Sequence, residues 1–139
     1  MRRMVLGALL VAVLVGAQAG VTAAEPEAYV ATIATASGRY RAVIRDPEMI
    51  RKARQEVANG VDAGVPTGPL AWGNGGVNWG HRWHVTELSF ADFTIELCDG
   101  TARGVDRDVT YWVETVGTFC PWSGKVVKLE PLRSRARPT

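Results

Sequence analysis

Between residues 28 and 45 the chain alternates. Tyr29, Ala31 and Ile33 fall on one side of an extended segment and Val30, Thr32 and Ala34 on the other. Beyond the Ser37-Gly38 turn signal, Tyr40, Ala42 and Ile44 alternate against Arg39, Arg41, Val43 and Arg45. Side chains reverse direction at every residue of a strand, so the two runs predict a β-hairpin. The period then changes. Asp46-Pro47 pairs an N-cap residue with a proline suited to the first helical position. Met49, Ile50, Ala53 and Val57 recur at helical spacing, with Arg51, Lys52, Arg54 and Gln55 on the opposite face, until Asn59-Gly60 supplies a stop. A helix is predicted, buried along the Met49, Ile50, Ala53 and Val57 stripe.

Residues 61–69, with Pro66, Gly68 and Pro69, are expected to form a loop, followed by a short strand at 70–72. In Gly73-Asn74-Gly75-Gly76-Val77-Asn78-Trp79-Gly80 half the residues are glycine, which frees the backbone for positive φ. It is no phosphate loop, because no Lys-Ser/Thr pair follows. Residues 82–86 read as extended. Residues 90–98 alternate strictly, Asp92, Thr94, Glu96 and Cys98 against Phe93, Ile95 and Leu97, which predicts a strand ended by Asp99-Gly100. Val105, Val109, Trp112, Val113 and Val116 share one face of a helix, although their β-branched composition leaves a strand over 109–116 as an alternative. A turn through Phe119-Cys120-Pro121-Trp122-Ser123-Gly124 and a closing strand at 125–129 complete the order. The expected fold class is α+β: a mostly antiparallel sheet with two helices packed on it and one disulfide.

The ends read differently. Arg2-Arg3, an apolar run from Val5 to Val15 and small residues up to Ala24 make a signal peptide, with candidate cuts after Ala19 and after Ala24, the second preferred because Glu25-Pro26 then opens the mature chain. The 11-residue apolar run is short of the ~20 that a spanning helix needs. This predicts a secreted, extracellular protein, off the membrane once the signal is cleaved, with a single domain at 25–130 and a frayed basic tail at 131–139. Residues 25–132 hold eleven basic and fourteen acidic residues, net −3, which disfavours nucleic acid as a partner. Cys98 and Cys120 are the only cysteines, and an even count in an exported chain points to a disulfide. A loop of that length is worth roughly 3 kcal/mol in the chain-entropy estimate.

Chemistry is sparse. His81 and His84 have the spacing of a helical metal pair, but an extended segment puts them on opposite faces, so no metal and no cofactor is expected. Ser37, Ser89, Ser123 and Ser134 all lack a Gly-x-Ser-x-Gly elbow. Asp92 and Glu96 would share a strand face with Cα atoms about 13 Å apart. Their side chains, with Asp99 nearby, admit a carboxylate hydrolase. The aromatic residues are more suggestive. Trp72, Trp79 and Trp83 lie in or beside the glycine-rich stretch with Asn74 and Asn78 interleaved and His84 adjacent. Flat apolar faces beside amide groups suit sugar rings or the anchor of a protein interface. In the competing arrangement Trp83, Trp112 and Trp122 are core residues.

Several blocks together resemble a known family. They are Ile44-Arg45-Asp46-Pro47 leading to Ile50, Ala53-Arg54 and Asn59-Gly60; Asn78 followed by Trp83-His84; Phe90-Ala91-Asp92; Ile95-Glu96-Leu97-Cys98-Asp99-Gly100; and Phe119-Cys120-Pro121-Trp122-Ser123. The stretch from about Tyr40 to Leu129 resembles the calmodulin-binding-protein-related "BP seventy-four" N-terminal domain family, departing from it at Gly80-His81-Arg82. The resemblance implies a small exported domain with a disulfide. It does not carry calmodulin binding over, since calmodulin wraps free basic helices and residues 47–58 are expected to be tied to a sheet. The expectation is a non-catalytic binding module for an unknown protein or glycan, contacting it through Trp72, Asn74, Asn78, Trp79, Trp83 and His84. The alternatives are a small secreted hydrolase using Asp92, Glu96 or Asp99, and a peptidase inhibitor presenting residues 61–69. Mass spectrometry of the exported protein is expected to find Glu25 at its start and a gain of two hydrogens on reduction.

Overall fold

The computed structural model describes residues 15–18, 20 and 24–133, so most of the expected signal peptide and residues 134–139 of the expected tail lie outside the described residues. In chain order the elements are β1 (Tyr29–Ala34), β2 (Arg39–Ile44), α1 (Pro47–Asn59), β3 (Val65–Trp72), β4 (Trp83–Val85), β5 (Ser89–Ala91), a 3-10 turn (Glu96–Cys98), α2 (Ala102–Arg107), a π-helical turn (Tyr111–Val116), β6 (Thr118–Phe119) and β7 (Lys125–Pro131). The class is α+β and every strand pairing is antiparallel. The strands divide into two sheets, β2-β1-β7 and a second one built around β3.

The hairpin forms with the phases that its alternation predicts. Tyr29, Ala31, Ile33, Tyr40, Ala42 and Ile44 enter the main core, while Val30 and Val43 are buried on the opposite face. Asp46 caps α1, accepting from the backbone N–H groups of Glu48 and Met49 at 2.9 and 3.0 Å, and Gly60 closes it in the left-handed conformation. The buried stripe differs from the expected one. Ile50, Ala53 and Glu56 are buried, and Val57 faces solvent. Glu56 is inside because its carboxylate terminates two backbone donors, Ala63 N–H at 3.3 Å and Val126 N–H at 2.8 Å, with Lys125 Nζ at 3.7 Å. A charge with these partners ties α1 to β7 and to the chain after Gly60.

Residues 61–69 are not a free loop. From Val65 onward they form the strand on which the second sheet is built, with Pro66 fully buried. Proline removes a ladder donor, and every pairing is short: three residues with β4, three with β5 and two with β6. Tertiary packing overrides the loop-like composition, and this segment offers no projecting inhibitor loop. Residues 90–98 are not one strand either. β5 runs against β3 only as far as Ala91↔Val65. At Gly64 (φ +106°) β3's chain turns away so closely that a Cβ would sit 2.8 Å from the Ala91 carbonyl oxygen. Residues 92–95 therefore continue without a partner strand before the 3-10 turn. Phe93, Ile95 and Leu97, set by the alternation on one face of the expected strand, are exposed.

The stretch 102–116 is helical but not one regular helix: α2 is followed by the π-helical turn, with Val105 and Val109 buried and Trp112 and Val113 packed at the core margin. Trp83 is fully buried and Trp122 is half exposed, so of the three tryptophans assigned to the core only Trp122 lies outside it. β7 extends to Pro131, and Leu132 N–H donates to the Ala28 carbonyl at 2.9 Å, so the first residues of the expected tail belong to the folded domain. Cys98 and Cys120 form the disulfide, with Cα atoms 5.1 Å apart. Among the described residues no helix is long and apolar enough to cross a membrane.

The core is stitched by ring contacts. Tyr40 lies 5.6 Å from Trp83 and 5.2 Å from Phe119, and Trp83 lies 5.5 Å from Phe119. The Tyr40 hydroxyl is buried without a partner among the described residues, and burial pushes its phenol well above the ordinary tyrosine range. Tyr40→Phe is expected to leave stability unchanged or raise it by about 1 kcal/mol, whereas Glu56→Ala, which orphans two buried N–H groups, is expected to cost about 1–3 kcal/mol; urea denaturation measures both.

Candidate functional site

The glycine-rich segment is a closed, internally bonded loop. Gly73 N–H donates to the Arg82 carbonyl at 2.8 Å across its base. Asn74 organises the first turn: its side-chain oxygen accepts from Gly76 N–H at 2.8 Å, and its carbonyl accepts from Val77 and Asn78 N–H at 3.2 and 2.9 Å. This is the local side-chain-to-backbone pairing that makes asparagine a turn residue. His84, on β4, donates through Nδ1 to the Gly73 carbonyl at 2.8 Å. Its ring fills the space beside Gly75, where an added Cβ would come within 2.4 Å of it, so only glycine fits.

Asn78 fastens this loop to both sheets. It is 1% exposed. Its side-chain oxygen accepts from Arg41 N–H on β2 at 2.9 Å, and its Nδ2 donates to the Trp83 carbonyl on β4 at 2.8 Å. Next to it Val77 packs on Val30 and Val43, covering the outer face of the three-stranded sheet. At the far end of the loop, Asp106 of α2 accepts from His81 Nδ1 at 2.8 Å and from the Trp83 indole N–H at 2.7 Å. Loop, β2, β4 and α2 are thus joined by hydrogen bonds, buried or half-buried at Asn78 and at the Trp83 indole and exposed at His81.

A cleft of about 360 Å³ opens between this loop and the sheet it covers. Its walls are Gly76, Val77 and Trp79 from the loop, Val30 and Arg41 from the sheet, and the run Glu130 to Arg133 at the end of β7 and just beyond. Trp79 is 57% exposed, so its indole is presented rather than packed. On the polar wall Arg41 pairs with Glu130 at 3.2 Å. Lys128 donates to Glu130 at 3.1 Å, and its ammonium together with the Arg41 guanidinium holds that carboxyl below the ordinary range. An indole face, apolar floor and a guanidinium–carboxylate pair make a site suited to a ligand with one apolar face and several hydroxyl or amide groups.

The six residues expected to contact a ligand therefore separate. Trp79 lines the cleft. Asn74, Asn78 and His84 build and anchor the loop that carries Trp79. Trp83 is 0% exposed, a core ring with no face to offer, and its place as a contact residue is corrected on that ground. Trp72 is exposed, but it is not a wall of the cleft. Arg41, Glu130 and Val30 were missed. They occupy outward positions of alternating strands, and only the register that sets Val30 opposite both Val43 and Glu130 brings them together. The carboxylates do not converge: Asp99 accepts from Trp122 N–H at 2.8 Å, and the shared strand face required of Asp92 and Glu96 does not form. His81 and His84 hold separate partners, and among the described residues no cluster of three His, Cys, Asp or Glu side chains is placed to hold a metal.

The blocks Cys98-Asp99 and Cys120-Pro121-Trp122-Ser123 come together as one knot. Cys120 N–H donates to the Cys98 carbonyl at 2.8 Å, Trp122 N–H to Asp99, and Ala36 N–H to Ser123 Oγ at 2.9 Å. Such an arrangement defines a small disulfide-stapled α+β domain. The family model for the "BP seventy-four" N-terminal domain matches residues 26–133, and the chain belongs to that family. No curated protein and no solved structure matches it.

Because Asn78 satisfies a donor and an acceptor on different elements, Asn78→Ala is expected to cost about 2–4 kcal/mol in urea denaturation and to expose the chain between Gly73 and Arg82 to limited proteolysis.

Proposed function

We propose that this chain is an exported, non-catalytic binding module that takes a saccharide in the cleft beside Trp79. The observation that carries this reading is the half-exposed indole of Trp79, held over a cleft by a loop that Gly73 N–H closes on the Arg82 carbonyl and Asn74 organises. Sugar rings have C–H faces that stack on aromatic planes and equatorial hydroxyls that bond to planar ionic groups. The Arg41–Glu130 pair supplies a donor set and an acceptor set on the opposite wall. Rigid anchoring through Asn78, His81 and His84 means little ordering remains to oppose binding. The disulfide and the leader-like first 24 residues support export.

A hydrolase is less well supported, because Asp99 is engaged by the Trp122 N–H and the strand face that Asp92 and Glu96 would share does not form. A glycan array probed with the full-length chain, followed by titration of the best ligand, tests the proposal. Trp79→Ala is expected to weaken binding about tenfold to a hundredfold, and Arg41→Gln about tenfold, with unfolding midpoints unchanged for Trp79→Ala. An array without signal, or equal binding by Trp79→Ala, overturns it.

A further inference from the structure

The outer face of the three-stranded sheet is only partly covered. Val77 packs on Val30 and Val43, and the side chains in the rows beyond them are exposed or half-buried. The strand register sets what those rows contain. Arg41 on β2 and Lys128 on β7 flank Thr32 of β1, and Arg39 stands opposite Ala34 one row further on. Side chains directly across an antiparallel ladder have Cβ atoms about 5 Å apart, so these cations form one patch. The patch begins at the cleft, because Arg41 is also a wall of it. Arg133, an exposed residue, brings a further guanidinium to the same cleft.

A single carboxylate answers these cations within the sheet. Glu130 is the one acidic residue of β1, β2 and β7, and it is shared between Arg41 at 3.2 Å and Lys128 at 3.1 Å. Lys125 of β7 turns away, to Glu56 and Asp62. Among the described residues Arg39 and Arg133 form no ion pair; Glu27 shares a neighbouring hollow with Arg133 without pairing to it. The excess is local, since residues 25–132 as a whole are net −3. A recess lined by one sign of charge on a body of the other sign concentrates anions at that recess.

We infer that the cleft takes an acidic oligosaccharide, with one ring on Trp79, an acid group of that ring on Arg41 and Arg133, and the acid groups of following rings on Lys128 and Arg39. The inference rests on the saccharide reading of the cleft and adds the charge class of the ligand. The shared chemistry is an oxyanion carried on a sugar ring, as a uronate or a sulfate ester. Charge-assisted bonds from guanidinium and ammonium groups to such oxygens are the stronger kind, and a guanidinium offers them in pairs. With Glu130 already occupied, the unmatched capacity of this face is for anions. Polynucleotides and anionic bilayers spread their charge over an area larger than this face, where the acidic body opposes them.

The test measures binding of the full-length chain by isothermal titration to two matched pairs: oligogalacturonate with its methyl ester, and sulfated with unsulfated dextran oligomers. Binding is expected to at least one acidic member, and its uncharged counterpart is expected to bind about tenfold more weakly; the pair that responds tells uronate from sulfate. Raising salt from about 0.05 M to about 0.5 M is expected to weaken the acidic ligand about tenfold and to leave a neutral one unchanged. Arg39→Gln and Arg133→Gln are expected to weaken acidic binding about threefold to fivefold each, with unchanged unfolding midpoints. Lys52→Gln removes the same charge from α1, whose Ile50 and Ala53 pack into the core on the opposite face of the sheet, and is expected to change binding less than about twofold. Equal affinity for charged and uncharged members, or equal effects of Arg133→Gln and Lys52→Gln, overturns the inference; Trp79→Ala weakening that same binding then leaves the saccharide reading standing. No binding to any saccharide overturns both. Tighter binding to oligothymidylate or to phosphatidylserine vesicles than to every saccharide overturns them as well.

Discussion

The contact of Tyr40 with Trp83 and Phe119 is the junction through which one sheet knows where the other is. Tyr40 belongs to β2, Trp83 to β4 and Phe119 to β6, so the three rings bridge two sheets that share no strand. Each buried ring stabilises the fold by about 2–3 kcal/mol through area removed from water, and edge-to-face packing adds to that. The Tyr40 hydroxyl, without a partner among the described residues, is the cost of seating a tyrosine there. Everything at the cleft depends on this junction, because Asn78 accepts from the residue after Tyr40 and donates to the carbonyl of Trp83.

The loop beside that junction illustrates how polar side chains replace regular structure. Between Gly73 and Arg82 there is no helix or strand, yet its turns are satisfied by Asn74, Asn78, His81 and His84. These residue types, mixed with glycine, look in the sequence like groups waiting for a ligand. In the folded chain most of their bonding capacity is taken up internally, and what is left to present is one indole.

The hairpin and α1 were legible because their information is local: alternation, a capping aspartate, a proline at the first turn and a glycine at the last. The disulfide was legible because there are only two cysteines to pair. What failed depended on neighbours. Residues 90–98 carry a strand pattern, but a strand needs a partner, and β3 has no residue beyond Val65 to provide one. The prolines of β3 suggested a loop, and the segment became a sheet centre because three short ladders share its length. Val57 fits the helical stripe better than Glu56, but only Glu56 has the carboxylate that Ala63 and Val126 require. The cleft was half legible. Trp79 stood out, while Arg41 and Glu130, far apart along the chain, meet only through β1.

The bond from Leu132 to Ala28 lashes the two ends of the described domain together beside the cleft, with Pro131, Leu132 and Arg133 forming part of its rim. A purification handle or fluorophore fused directly after Arg133 therefore starts at the rim of the Trp79 cleft, and surface immobilisation through that point turns the opening toward the support. An affinity measured on such a preparation reports on steric masking as well as on recognition, and a tag-free preparation in solution separates the two.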